Sequence, residues 1–316
     1  MREFKAITTV YSYRFPEIRE LVSKLTNPFP HEVFLRATNP PGGLDDFHIS
    51  VIEKIIKFHE KSVPHLKDFH FGYPTSGSEE GIREIMTHLQ SKGVKKIYVL
   101  KGEYEGYDAV AATRSIETIE VDPNTDPKSL EQGYWFISNP SARDGNIISD
   151  DFINKICDAG HKVFYDLAYL CSTRQHVFNL NHKNIFAVVI SFSKPFGLFY
   201  DRIGFTFSRE EIPSLYGNKW FKSILGLMIA EKIVTTMKPS ELYNKYRPIQ
   251  EKIIKEINET LGLGLKPSDA ILLAHLSTED AEKLNEKQKE LISKFRRGDN
   301  YRFCLTSYYL EREASK

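Results

Sequence analysis

The feature that most constrains this chain is a series of short, almost unbroken apolar runs separated by helix-length amphipathic segments. KKIYVL (95–100), GYWFIS (133–138), HKVFYD (161–166) and FAVVISFS (186–193) are rich in β-branched and aromatic residues. A strand with one face in water alternates apolar and polar residues, whereas a strand covered on both faces does not. These runs therefore predict strands of a sheet lying between two layers of helices. The segments between them have a helical period, as in DDFINKICDAG (150–160), whose final glycine suits a helix C-terminus. Strands joined through helices make right-handed crossovers, so the sheet is expected to be mostly parallel and the class α/β, in three layers. IGFTFS (203–208) follows SFSKPFG after a short connection and is expected to pair in a hairpin-like manner.

After Trp220 the pattern changes. Helical periodicity runs from about 220 to 260, and then ILLAHLS (271–277) and YRFCLTSYYL (301–310) read as strands around a helix at 278–295. This describes a smaller α+β domain against which the first 40 residues are expected to pack. The expected division is a large domain over 40–235 and a small one made of 1–39 and 236–316. A chain of 316 residues with 41% hydrophobic content buries a sizeable core, which excludes a disordered protein. Its 43 basic and 42 acidic residues leave a charge of +1, and so no electrostatic reason to expect nucleic acid or an anionic membrane. No run approaches the ~20 apolar residues of a spanning helix. MREFKAITTV lacks the apolar core of a secretory signal. Cys157, Cys171 and Cys304 are far apart, with no C-x-x-C, which points to a reducing, cytoplasmic setting.

In an open α/β sheet, ligands bind beyond the carboxyl ends of the strands. Applied to the runs above, that rule selects a distinctive set of residues. Tyr104 and Tyr107 follow the first run, Asn139 the second, and Asp166 with Tyr169 the third. The fourth delivers Ser191, Ser193 and Lys194, with Arg202 eight residues beyond the lysine. Pyridoxal 5′-phosphate (PLP) chemistry asks for such a set. Its aldehyde needs a lysine for a Schiff base, and its pyridinium nitrogen needs a carboxylate to stay protonated. Lys194 is the candidate anchor and later base, Asp166 the ring partner, and Tyr169 and Asn139 donors to the ring oxygen. Tyr104 offers a stacking face. Tyr107 reads as packing. The phosphate needs a cradle, which the start of GSEEGIREIMTHL (77–89) supplies through Gly77, Ser78 and Glu79, completed by Ser191 and Arg202. The histidines show no metal-ligand spacing, and no phosphate-binding G-x-x-x-x-G-K-[ST] loop occurs.

The segments ATNPPGG (37–43), GSEEGI (77–82), EYEGY (103–107), SNPSARDG (138–145), YDLAY (165–169), SFSKPFGLFYDRIG (191–204) and YRFCLTS (301–307) resemble the fold-type I PLP enzymes. Within these, the chain is similar to class I/II aminotransferases of the histidinol-phosphate aminotransferase branch. The resemblance implies PLP on Lys194, Asp166 at the ring nitrogen, and Asn139 and Tyr169 at the ring oxygen. It also implies phosphate contacts from Gly77, Ser78, Ser191 and Arg202, with Arg302 taking the substrate α-carboxylate beside Asn139, and a homodimer. The chain departs from the family in the short stretch between Gly43 and Gly77, and Tyr73 is a poor match for the tyrosine a partner subunit usually supplies. The expected reaction is transamination between an amino acid and a 2-oxo acid. The alternative is a decarboxylase, lyase or cyclase on the same fold. A cofactor-free binding protein on this scaffold is a third reading, disfavoured by the retained cofactor-side residues.

Overall fold

The computed structural model describes residues 4–10, 13–37, 44–220 and 222–315, so all of ATNPPGG (37–43) except Ala37 lies outside the described residues. Seven strands build the large sheet: β1 (Phe71–Thr75), β2 (Lys96–Leu100), β3 (Glu117–Val121), β4 (Tyr134–Ser138), β5 (Lys162–Leu167), β6 (Ile185–Ser191) and β7 (Gly204–Ser208). Their order is β1-β7-β6-β5-β4-β2-β3. Neighbours from β6 to β3 are parallel, while β7 is antiparallel to both β6 and β1. The apolar runs are explained by burial: every residue of β6 is inside, and all of β5 except Lys162. β7 is the hairpin-like partner expected, with Gly204 opposite Ser191.

Each face of this sheet carries its own core layer. On one side, Ile82, Ile85, Met86 and Leu89 of the helix Ser78–Ser91 recur at helical spacing and pack over Phe136, Phe164 and Val189. On the other, Val51 and Ile55 of the helix Phe47–His59 and Ile229 and Ile233 of the helix Ile224–Thr236 join the layer of Trp135, Tyr165 and Val188. Each such side chain contributes about 1.5–3 kcal/mol by leaving water. The layers clamp the sheet, so the ends of its strands are held firmly where the candidate residues sit.

A second sheet, β8 (Lys266–Pro267), β9 (Leu273–Ser277), β10 (Arg296–Arg297) and β11 (Asn300–Cys304), is antiparallel throughout, in the order β10-β11-β9-β8. Three expectations change here. The strand expected over 301–310 ends at Cys304, and a helix, Thr306–Ala314, follows. Tyr308 and Tyr309 have high strand propensity, but Tyr309 is buried against the rings of Tyr13 and Tyr246, at 5.4 and 6.3 Å between centroids, and that packing decides. The helical stretch from 220 to 260 is two helices, Ile224–Thr236 and Glu241–Leu261, and the helix expected at 278–295 is split into Thr278–Glu282, Glu286–Ile292 and a 3-10 turn. The N-terminal segment lies on this sheet: Ile7 bridges Cys304, and Lys5 N donates to Tyr308 Oη at 3.0 Å. Bonds between 145–147 and 269–270 tie the two sheets together, with Ala270 N to Gly145 O at 3.0 Å and Ile147 N to Asp269 Oδ2 at 2.9 Å. None of the three cysteines forms a disulfide, and no helix among the described residues is long and apolar enough to cross a membrane.

Candidate active site

Parallel strands bring the residues after β2, β4, β5 and β6 to one edge of the sheet. Lys194 sits there in the one-turn helix Ser193–Phe196 directly after β6. Its Nζ lies 4.3 Å from the ring centroid of Tyr169 and 5.6 Å from that of Tyr104. Two aromatic faces therefore frame a half-buried amine, which they attract through their π electrons.

Asp166, near the end of β5, is buried. Its Oδ2 accepts the Tyr107 hydroxyl at 2.9 Å and its Oδ1 the Ala168 N–H at 2.8 Å. Burial pushes this carboxyl above the usual range, and the opposing pull of the Lys194 charge and the two donors does not cancel it. A cation brought against the carboxylate would repair that cost. Tyr107 packs in the core, as its sequence position suggests, and its phenol also bonds Asp166. It stands three positions after Tyr104, one helical turn away, and its phenol fixes the orientation of Asp166.

The anion cradle is built from glycine and arginine. Gly77 has φ +80° and N-caps the helix Ser78–Ser91 with no side-chain cap on its first N–H groups. Arg202 Nη2 donates to Ser76 O at 2.9 Å and Nη1 to Phe199 O at 3.2 Å. A Cβ on Gly77 would stand 2.7 Å from Arg202 Nη2, so this position needs glycine both for its backbone and for the guanidinium beside it. Ser191 Oγ accepts the Ser193 N–H at 3.1 Å. Glu79 Oε2 accepts the Tyr104 hydroxyl at 3.1 Å, and burial together with that carboxylate keeps the phenol protonated.

Asn139 follows β4 directly and is buried. Its Nδ2 donates to Ile148 O at 3.0 Å and to Tyr165 Oη at 2.6 Å, and its Oδ1 accepts Ile148 N–H at 2.9 Å. Both amide protons are engaged within the chain, so Asn139 fastens the loop after β4 to β5 at the same rim of the sheet. The Tyr169 hydroxyl is buried with no hydrogen-bond partner among the described residues. Arg302 comes from β11 and is buried. Its Nη1 donates to Ala142 O and its Nη2 to Thr8 O at 3.1 Å, while Nε has no partner among the described residues. Tyr169 packs with Leu273 and Cys304, which places the small sheet against the lysine pocket. Tyr73 is buried within the chain, its hydroxyl accepting Ile212 N–H at 3.1 Å.

These features fit PLP. Buried hydroxyls of Tyr169 and Ser193 lack partners, uncapped helix N–H groups and Arg202 would meet a phosphate, and a destabilised carboxylate faces the lysine. When bound, PLP supplies an aldehyde that captures an amine and a cationic ring that draws electrons from the carbon next to it. The sequence profile of the family described as aminotransferase class I and II matches residues 45–295.

The chain belongs to this family. Like other members, this class I/II enzyme has a fold-type I α/β architecture and uses PLP. Histidinol-phosphate aminotransferase 2 of Archaeoglobus fulgidus is 23% identical over 295 residues, spanning 86% of this chain and 84% of that protein. Histidinol-phosphate aminotransferase from Sinorhizobium meliloti, solved with pyridoxal 5′-phosphate, superposes with a TM-score of 0.67 at 13% identity, covering 98% of this chain and 90% of the other. L-threonine-O-3-phosphate decarboxylase from Porphyromonas gingivalis gives 0.64 at 16% identity, covering 98% and 99%. The fold therefore hosts both amino-group transfer and decarboxylation.

Proposed function

We propose that this class I/II enzyme moves an amino group from an amino acid to a 2-oxo acid, with Lys194 holding PLP. The observation that carries the proposal is the Lys194 amine held between the rings of Tyr104 and Tyr169, with Asp166 buried within range of its charge. In this reading Asp166, fixed by Tyr107, keeps the proton on the ring nitrogen, and Tyr169 donates its unpartnered hydroxyl to the ring oxygen. The N–H groups of Ser78 and Glu79, with Arg202, Ser191 and Ser193, hold the phosphate. Arg302 receives the substrate α-carboxylate, for which its planar guanidinium is suited. Lys194 Nζ, once displaced by the incoming amine, would take the proton from the substrate Cα and return it to the carbon on the far side of the amine nitrogen, two atoms along. The apolar group of Ile7, Val10, Leu273 and Cys304 around Tyr169 keeps water from that transfer.

The test is a half-reaction. The PLP-loaded enzyme given single amino acids without an acceptor should release one equivalent of 2-oxo acid per site and then stop until a 2-oxo acid is added. Sustained carbon dioxide release without an acceptor would favour the decarboxylase reading, which shares every cofactor-side residue. A cytoplasmic homodimer belongs to the same proposal. The exposed Tyr216 and Trp220, stacked edge to face at 5.0 Å, support a second copy there, and sedimentation of a monomer at micromolar concentration would refute it.

A further inference from the structure

Glu103 plays no part in the chemistry above, yet it is only 5% exposed. Burial pushes its carboxyl above the usual range, so its place in the fold is costly. Among the described residues, its donors come from the last residue of β4 and from the loop that follows. Ser138 N donates to Oε2 at 3.0 Å, the Ser138 hydroxyl donates to the same oxygen, and the Ser141 hydroxyl donates to Oε1 at 2.8 Å. The Ser138 hydroxyl spends its proton on Glu103 and keeps its lone pairs for other donors. One of them takes the Ala142 N–H at 2.7 Å. The carbonyl of that same residue accepts Nη1 of Arg302. A continuous line of hydrogen bonds thus runs from Glu103 through the Ser138 hydroxyl and the Ala142 backbone to the guanidinium.

We propose that Glu103 is a positioning residue for Arg302, setting the guanidinium through the Ser138 hydroxyl and the Ala142 backbone so that it meets the substrate carboxylate. This rests on the reading of Arg302 as the carboxylate site. The two residues beyond Glu103 have other partners: Tyr104 faces Lys194, and Glu105 forms a bidentate pair with Arg297 at 2.7 and 3.1 Å. The segment after β2 therefore sets the cofactor face and the small-sheet arginines together.

The experiment measures propionate, a carboxylate without an amine, binding to the PLP-loaded enzyme through the change it makes in the cofactor's visible absorption. Ser138→Ala removes the relay hydroxyl while leaving Glu103 in place, and should weaken propionate about fivefold, the scale of one hydrogen bond. Glu103→Ala should do the same, and Glu103→Gln, whose amide oxygen still accepts from Ser138, should stay within about twofold. PLP affinity should not move in Ser138→Ala. In an Arg302→Lys background the effect of Ser138→Ala should vanish, because the relay then ends on nothing. An undiminished effect in that background, a parallel loss of PLP, or no effect of Ser138→Ala on propionate would each overturn the proposal. The two readings fail separately: if Arg302→Lys weakens propionate and Ser138→Ala does not, only the relay falls. If Arg302→Lys changes nothing, the carboxylate assignment falls and the relay with it.

Discussion

Replacing Tyr107 by phenylalanine isolates one bond in the buried heart of the site. The phenol donates to Asp166 Oδ2 at 2.9 Å, and neither group is exposed to solvent that could replace the bond. Phenylalanine keeps the ring packing, 5.5 Å from Phe136 and 5.4 Å from Tyr104, so the substitution leaves no cavity beyond one hydroxyl. A hydrogen bond to a charged acceptor contributes about 1.5–3 kcal/mol. Asp166 would retain only the Ala168 N–H as a neutral donor, and its ionised form would lose roughly 2 kcal/mol of support. A carboxylate less willing to ionise holds a ring-nitrogen proton less well. Titration of the cofactor-free Tyr107→Phe enzyme with PLP, followed by absorbance, should give a dissociation constant raised about 10- to 30-fold, with a lower kcat on the loaded enzyme. A PLP affinity within twofold of wild type and an unchanged kcat would refute the assignment of Tyr107 to the site.

Three further outcomes follow from the same geometry. Gly77→Ala forces an L side chain into φ +80° against Arg202. It should cost about 1–2 kcal/mol of stability in urea unfolding and weaken PLP at least about tenfold, whereas a neutral effect on both would contradict the cradle. Arg302→Lys loses the guanidinium fork, and should raise the amino-acid KM at least about tenfold with a smaller change in kcat; the reverse split would contradict its role. Burial raises the Asp166 carboxyl, so the folded cofactor-free protein binds that proton more tightly than the unfolded chain. The stability this group contributes therefore falls as pH rises from about 4 through the raised value. Asn does not titrate, so in urea unfolding of the cofactor-free proteins Asp166→Asn should gain on wild type across that window and then level off. A difference independent of pH would show that Asp166 is not strained.

Much of the large sheet was legible because burial on both faces writes itself as continuous apolar sequence, as in β4, β5 and β6. The edges were not. β3, ETIEV, carries exposed Glu117 and Glu120 at the rim and has no unbroken apolar run, while β1 hides Pro74 in a stretch that reads as a turn. Pro74 sits on an edge strand, where a missing N–H is tolerated. In the candidate site, strand-end position alone is enough to bring Lys194, Asp166, Tyr104 and Tyr169 to one rim. What position cannot reveal is whether a polar group is already satisfied. Asn139 stands at a strand end, and only the structure shows that its amide bonds Ile148 and Tyr165. The bonds of Tyr107 to Asp166 and of Glu103 to Ser138 join residues distant in sequence, which a reading of strand ends does not reach.

The central claim is an amine in the right place. Borohydride reduction of the PLP-loaded enzyme, followed by proteolysis and mass spectrometry, locates the covalently held cofactor. A single pyridoxyl group is expected on the peptide containing Lys194. A modified peptide elsewhere in the chain, or none at all, would contradict it.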